Sequence, residues 1–106
     1  MTIKRSQVPN GMVLELGGRL DGEAGNTLVE EITLLADGHT NIAVDMRGVP
    51  FVNSAGLASL ITCLKRCRER RTTFKLLSLQ PQVLEVFELT QLSHVFGMHR
   101  IQDQAA

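Results

Sequence analysis

Residues 41 to 70 constrain the fold more than any other stretch of this chain. Asn41-Ile42-Ala43-Val44-Asp45 is a short apolar run of the kind used for a buried parallel strand. Met46 to Asn53 reads as a loop, in which Pro50 disfavours helix for the residue before it. Leu57, Leu60, Ile61 and Leu64 then fall on one face of a helix that runs to about Arg70, and Cys67 or Arg68 extends the stripe. Ser54 has the chemistry of its N-cap. Lys65, Arg66, Arg68, Arg70 and Arg71 crowd its other end, where the helix dipole favours positive charge. A strand followed by a crossover helix predicts parallel neighbours joined by right-handed connections.

The rest of the chain extends that pattern. Residues 3–8 suit an edge strand, Asn10-Gly11 is a hairpin-type turn, and Met12 to Leu16 suits a second strand, antiparallel to the first. Gly17-Gly18 breaks it. A helix is predicted from about Ala24 to Ala36, with Leu28, Ile32 and Leu35 on one face and Glu30 and Glu31 off it. Asp37-Gly38 ends that helix, with Gly38 suited to a left-handed cap. Thr73 to Leu77 reads as a strand. Pro81 opens a short helix to about Leu89, with Val83, Val86 and Phe87 as its apolar residues. Val95 to Ile101 fits either a last strand or a loop with a short helix, and Gln102 to Ala106 reads as a frayed tail. The expectation is one α/β domain over residues 1–106: a mixed, mostly parallel sheet of four or five strands with helices packed against it.

Several function classes are disfavoured. Trp and Tyr are absent and there are four Phe, so the core must be aliphatic and a stacking platform for single-stranded nucleic acid is not expected. Eleven basic and eleven acidic residues cancel, which removes any long-range pull toward nucleic acid or an anionic membrane. No apolar run approaches the roughly 20 residues that span a bilayer, and Met1 to Ser6 leads into no signal core. The expected location is the cytosol. Cys63 and Cys67 share a helix face and read as small buried apolar residues. No second cysteine pair completes a metal site, and His39, His94 and His99 are scattered. Gly-x-Gly-x-x-Gly and P-loop patterns are absent, so no cofactor is expected. Ser54 lacks a Gly-x-Ser-x-Gly frame, and no convergent acid and base accompany it, so an enzyme ranks last.

Sites in such sheets favour loops beyond the carboxyl ends of strands. Two loops qualify, one ending at Asp21-Gly22 and one at Asn53-Ser54. A hydroxyl at a helix mouth sits by amide groups that lack intrahelical partners and can receive a phosphate. Phosphate on Ser54 would leave the helix intact while adding charge and bulk that repel a docked protein. Ala55 and Gly56 are small and leave room for close approach. The plainer alternative is that Ser54 only caps the helix. Asp21 could equally just hold its turn. Arg47 could contact a partner or phosphate but reads more simply as a solvated loop arginine. The Lys65 to Arg71 cluster fits a helix C-terminus better than a nucleic-acid patch.

Val44 to Leu57, with its Val-Asp, then Phe-Val-Asn-Ser-Ala-Gly-Leu, resembles the signature of the STAS domain, specifically the bacterial anti-sigma-factor antagonists. Gly18-Arg19-Leu20-Asp21 resembles the family's Gly-x-Leu-Asp element. Leu76 to Val83 and Phe87 to Leu92 resemble its later strand–helix portion. The resemblance implies a non-enzymatic partner switch. Ser54 would be the phosphoacceptor of an anti-sigma factor that is also a serine kinase, and a separate phosphatase would reset it. Asp21 would lie close to Ser54, and Asp21, Asn53, Ala55, Gly56 and Leu57 would meet the partner. The family's usual acid before the serine is Asn53 here, which keeps size and hydrogen bonding and loses a charge. The resemblance also allows a STAS adaptor of a lipid-transporting ABC complex or a signalling scaffold, in which the serine need not be phosphorylated. Loop contacts at a strand end would suit a homodimer, though nothing in the sequence demands one.

Overall fold

The computed structural model describes residues 1–96. It contains β1 (Thr2–Val8), β2 (Gly11–Gly17), α1 (Gly22–Ala36), β3 (Asn41–Gly48), α2 (Ser54–Glu69), β4 (Thr73–Leu77) and α3 (Pro81–Leu89). The four strands form one mixed sheet in the order β1-β2-β3-β4. β1 and β2 make the antiparallel hairpin around Asn10-Gly11, while β2–β3 and β3–β4 are parallel. The alternation of each strand decides the layering. Leu14, Leu16, Ile42, Val44, Met46, Phe74 and Leu76 are buried on one face. Their neighbours Glu15, Arg47, Thr73 and Lys75 are exposed on the other. The helices therefore cover one side of the sheet and leave the other open. Among the described residues, no helix is long and apolar enough to cross a membrane.

Helix faces follow their apolar periods. α1 buries Gly25, Leu28, Ile32 and Ala36, with Leu35 packed at the edge of the core. α2 buries Leu57, Leu60, Cys63, Leu64 and Cys67. Of the two residues proposed to extend its stripe, Cys67 turns inward and Arg68 outward. α3 buries Val83, Leu84 and Phe87. Thr72 is a buried polar residue whose hydroxyl bridges the carbonyls of Ala36 (3.1 Å) and His39 (2.9 Å), tying the far ends of α1 and α2 together.

Three local expectations need correction. β3 continues to Gly48, because Met46 keeps the inward alternation that Val44 begins. α1 starts two residues early, at Gly22, because Asp21 caps it. Gly38 is not a left-handed cap: the single positive-φ glycine among the described residues is Gly18, at +100°. Left-handed caps occur instead after α2 and α3, at Arg71 (φ 58°) and Gln91 (φ 61°). There the amides of Thr72 and Leu92 reach back to the carbonyls of Cys67 and Phe87, 2.8 Å each, as in a Schellman ending. Val95 and Phe96 lie in a turn; residues 97–106, and with them the rest of the proposed last element and the tail, fall outside the described residues.

The cysteines behave as the small buried residues expected of them. Burial, and then the neighbouring Cys67, push the Cys63 thiol up to about 12. Burial pushes Cys67 up to about 11 against the opposing pull of Arg70. In the unfolded chain both thiols ionise near their ordinary value of 9.0. The unfolded state therefore loses protons first, and stability is whole below that value and declines as pH rises toward the folded values. Urea midpoints should fall between pH 9 and 10.5 more steeply in the wild type than in Cys63→Ala. Equal slopes would refute the assignment.

Candidate functional site

The site is built where two loops meet. Leu20 and Val52 form a parallel bridge, and both are buried. The Leu20 amide donates to the Phe51 carbonyl (3.0 Å), and the Asn53 amide donates to the Leu20 carbonyl (3.2 Å). These bonds bring the residues that open α1 and α2 side by side. Asp21 caps α1, its Oδ1 accepting from the Ala24 amide at 3.0 Å. Asn53 caps α2, its Oδ1 accepting from the Gly56 amide at 2.8 Å. The first turns of the two helices touch: a Cβ on Gly22 would stand 3.3 Å from that of Ala55. One turn on, Gly25 lies so close to Ser59 that any side chain there would overlap it. The Ser59 hydroxyl donates to the Ala55 carbonyl at 3.0 Å.

Ser54 is therefore not the cap. Asn53 does that work one residue earlier, because its amide oxygen reaches the third helical amide while its own backbone is extended. Ser54 is the first residue of α2 and is exposed. Among the described residues its hydroxyl has no hydrogen-bond partner. Ala55 is exposed and Asn53 and Asp21 are half-buried. Gly56 and Leu57 are buried and leave a partner little surface. The smallness of Gly56 serves an internal contact instead: a Cβ there would overlap the Leu20 carbonyl oxygen. So Asp21, Asn53, Ser54 and Ala55 share one outer corner, with Gly56 and Leu57 as the packing beneath it.

The Asn53 cap can be tested by substitution. Asn53→Ala should cost about 1 kcal/mol of stability. Asn53→Asp should keep the cap and gain about 0.5 kcal/mol from the helix dipole, an effect that fades in high salt. Thermal melts of the three proteins at two salt concentrations check both; a neutral alanine variant would show that the 2.8 Å bond contributes nothing.

Two neighbouring residues carry more than the sequence reading gave them. The Arg19 guanidinium lies over the Phe51 ring, 4.6 Å from its centroid. They come together because Leu20 and Val52 turn inward, which points the preceding residues out. The Gly18-Arg19-Leu20-Asp21 and Phe51-Val52-Asn53-Ser54 elements contain both, so the signal was the shared register of those segments. Arg47 is exposed and answers to Asp45, whose Oδ1 accepts its amide at 2.9 Å. At the opposite end of α2, Arg70 pairs with Asp37 at 2.7 Å and Arg66 lies 3.9 Å from Glu69, so part of the basic cluster is matched by carboxylates.

Comparison with known proteins gives a consistent picture. The family model for the STAS domain matches residues 2–105. A Mycobacterium tuberculosis protein that carries the name anti-anti-sigma factor is 30% identical over 97 residues, 89% of this chain; the chain spans 66% of that protein's length. Bordetella bronchiseptica BtrV, which carries the name anti-sigma factor antagonist, is 23% identical over all of this chain and 92% of its own. Among solved structures, the anti-sigma factor antagonist SpoIIAA shares the fold. Its unphosphorylated form aligns with a TM-score of 0.67 at 19% identity, over 92% of this chain and 100% of that one. The phosphorylated Bacillus form aligns with a TM-score of 0.69 at 20% identity, over 87% and 86%.

Proposed function

This chain belongs to the STAS domain family, and from that premise we propose that it is an anti-sigma-factor antagonist switched by phosphorylation of Ser54. In the unphosphorylated state it binds an anti-sigma factor with serine kinase activity through the corner of Asp21, Asn53, Ser54 and Ala55. Phosphorylation releases that partner, and a serine phosphatase restores binding. The chain acts in the cytoplasm and catalyses nothing itself. One observation carries the reading: an exposed hydroxyl on the first turn of α2 that has no partner among the described residues, with the cap work done by Asn53. The Ser54 and Ala55 amides precede the first intrahelical bond and suit an added phosphate. The names of the relatives support the antagonist role.

The test is incubation with the matching kinase and ATP, followed by mass spectrometry, alongside binding of wild type and Ser54→Asp. Phosphate on Ser54 and weakened binding of Ser54→Asp are expected. An unmodified Ser54, or equal binding, refutes the switch. Asn53 favours a second reading, in which the same corner is a constant interface of an ABC-type lipid transport adaptor or signalling scaffold. Asn53 caps α2 as an acid would but lacks the charge. Co-purification with an ABC ATPase rather than a kinase-fold protein would select that reading.

A further inference from the structure

Arg19 and Phe51 stand at the rim of the proposed docking corner with no structural task assigned to them. Phe51 is 43% exposed, although Leu20 and Val52 beside the pair are buried. Pro50, just before it, is held through its carbonyl by Gln82 (3.2 Å), so the ring sits on a tethered loop. Arg19 forms no ion pair among the described residues, even though Asp21 and Glu23 line the same open cleft of about 450 Å³. An exposed arginine is usually mobile, and fixing it costs a binder entropy. Stacking on the ring restrains this one beforehand while leaving the donors of its planar fork open to solvent. Arginine and aromatic residues are also the types that most often carry interface energy.

The charge pattern narrows what can bind. Asp21 and Glu23 beside the pair would repel a polyanion such as a nucleic-acid backbone. A single carboxylate can take the Arg19 fork in a bidentate pair without meeting them. We propose that Arg19, stacked on Phe51, is the specificity anchor of this corner, and that the anti-sigma partner meets it with an aspartate or glutamate set beside an apolar contact for the ring. This rests on the antagonist reading above and adds the partner chemistry to it.

The experiment measures affinity between the full chain and the anti-sigma factor identified in the kinase test. Arg19→Glu should weaken binding by about 30-fold or more. Arg19→Lys should fall between it and wild type, because lysine keeps the charge and loses the fork. Phe51→Leu should also weaken binding. Lys65→Glu, exposed on α2 eleven residues beyond Ser54, about 16 Å along the axis, should change little. A partner variant with one interface acid changed to arginine should restore binding to Arg19→Glu. If Arg19→Glu binds within threefold of wild type, or no acid-to-arginine change restores it, the inference is overturned while the antagonist reading stands. If wild type itself binds no anti-sigma factor, both fall.

Discussion

Gly56→Val is expected to lower the free energy of unfolding by about 3 kcal/mol. Helix propensity alone argues the other way, since glycine inside a helix costs about 1 kcal/mol relative to alanine. The neighbour decides the sign. A Cβ at Gly56 meets the backbone carbonyl of Leu20, not the flexible end of a side chain. That carbonyl also accepts the Asn53 amide, so moving it breaks the joint between the two site loops. Gly38→Ala is the contrasting case. Nothing lies within 4 Å of a Cβ there and its φ is not positive, so it should be neutral or gain a few tenths of a kcal/mol. Urea unfolding of both variants checks the pair. A Gly56→Val protein as stable as wild type would mean that the corner yields easily.

Phe87→Ala should cost about 3–5 kcal/mol, among the largest losses a single core substitution can produce here. Three of the four phenylalanines gather at this place in an otherwise aliphatic core. Phe87 is fully buried and meets Phe96 edge-on, with centroids 5.5 Å apart; Phe96 lies 6.4 Å from Phe74 of β4. Removing the Phe87 ring leaves a cavity and loses the edge contact with Phe96, which adds to the area term. The carbonyl of Phe87 also accepts the Leu92 amide, so α3 and the turn after it should loosen together. The denaturation midpoint should drop with an unchanged slope.

Much of the architecture was legible because the apolar periods are unambiguous. The α2 stripe of Leu57, Leu60 and Leu64 and the alternation of Ile42 and Val44 each admit one reading, and the structure follows them. The errors fall where two residues compete for one role. Asn53 and Ser54 are both good caps, and only the register with Leu20 shows that Asn53 takes the position. Leu84, left out of the apolar set Val83, Val86 and Phe87, is buried, while Val86 packs against the core only partly buried, because nine residues give too few turns to fix a face. At the site, the motif pointed to the two loops that the structure brings side by side. It could not show that Gly56 and Leu57 turn inward, since a family signature mixes contact residues with those that merely hold them. Arg19 over Phe51 was hidden because that pairing depends on which long-range segments lie in register.

Leu20 takes part in both bonds of the seam: its amide gives to one loop residue and its carbonyl receives from another two positions on. The two loops thus open together or stay shut. Any binder that pries at one mouth must also unzip the other. The amides of Leu20 and Asn53 should accordingly exchange with deuterium at a common rate, and a covalent change on the second loop would be felt at the first without crossing the interior.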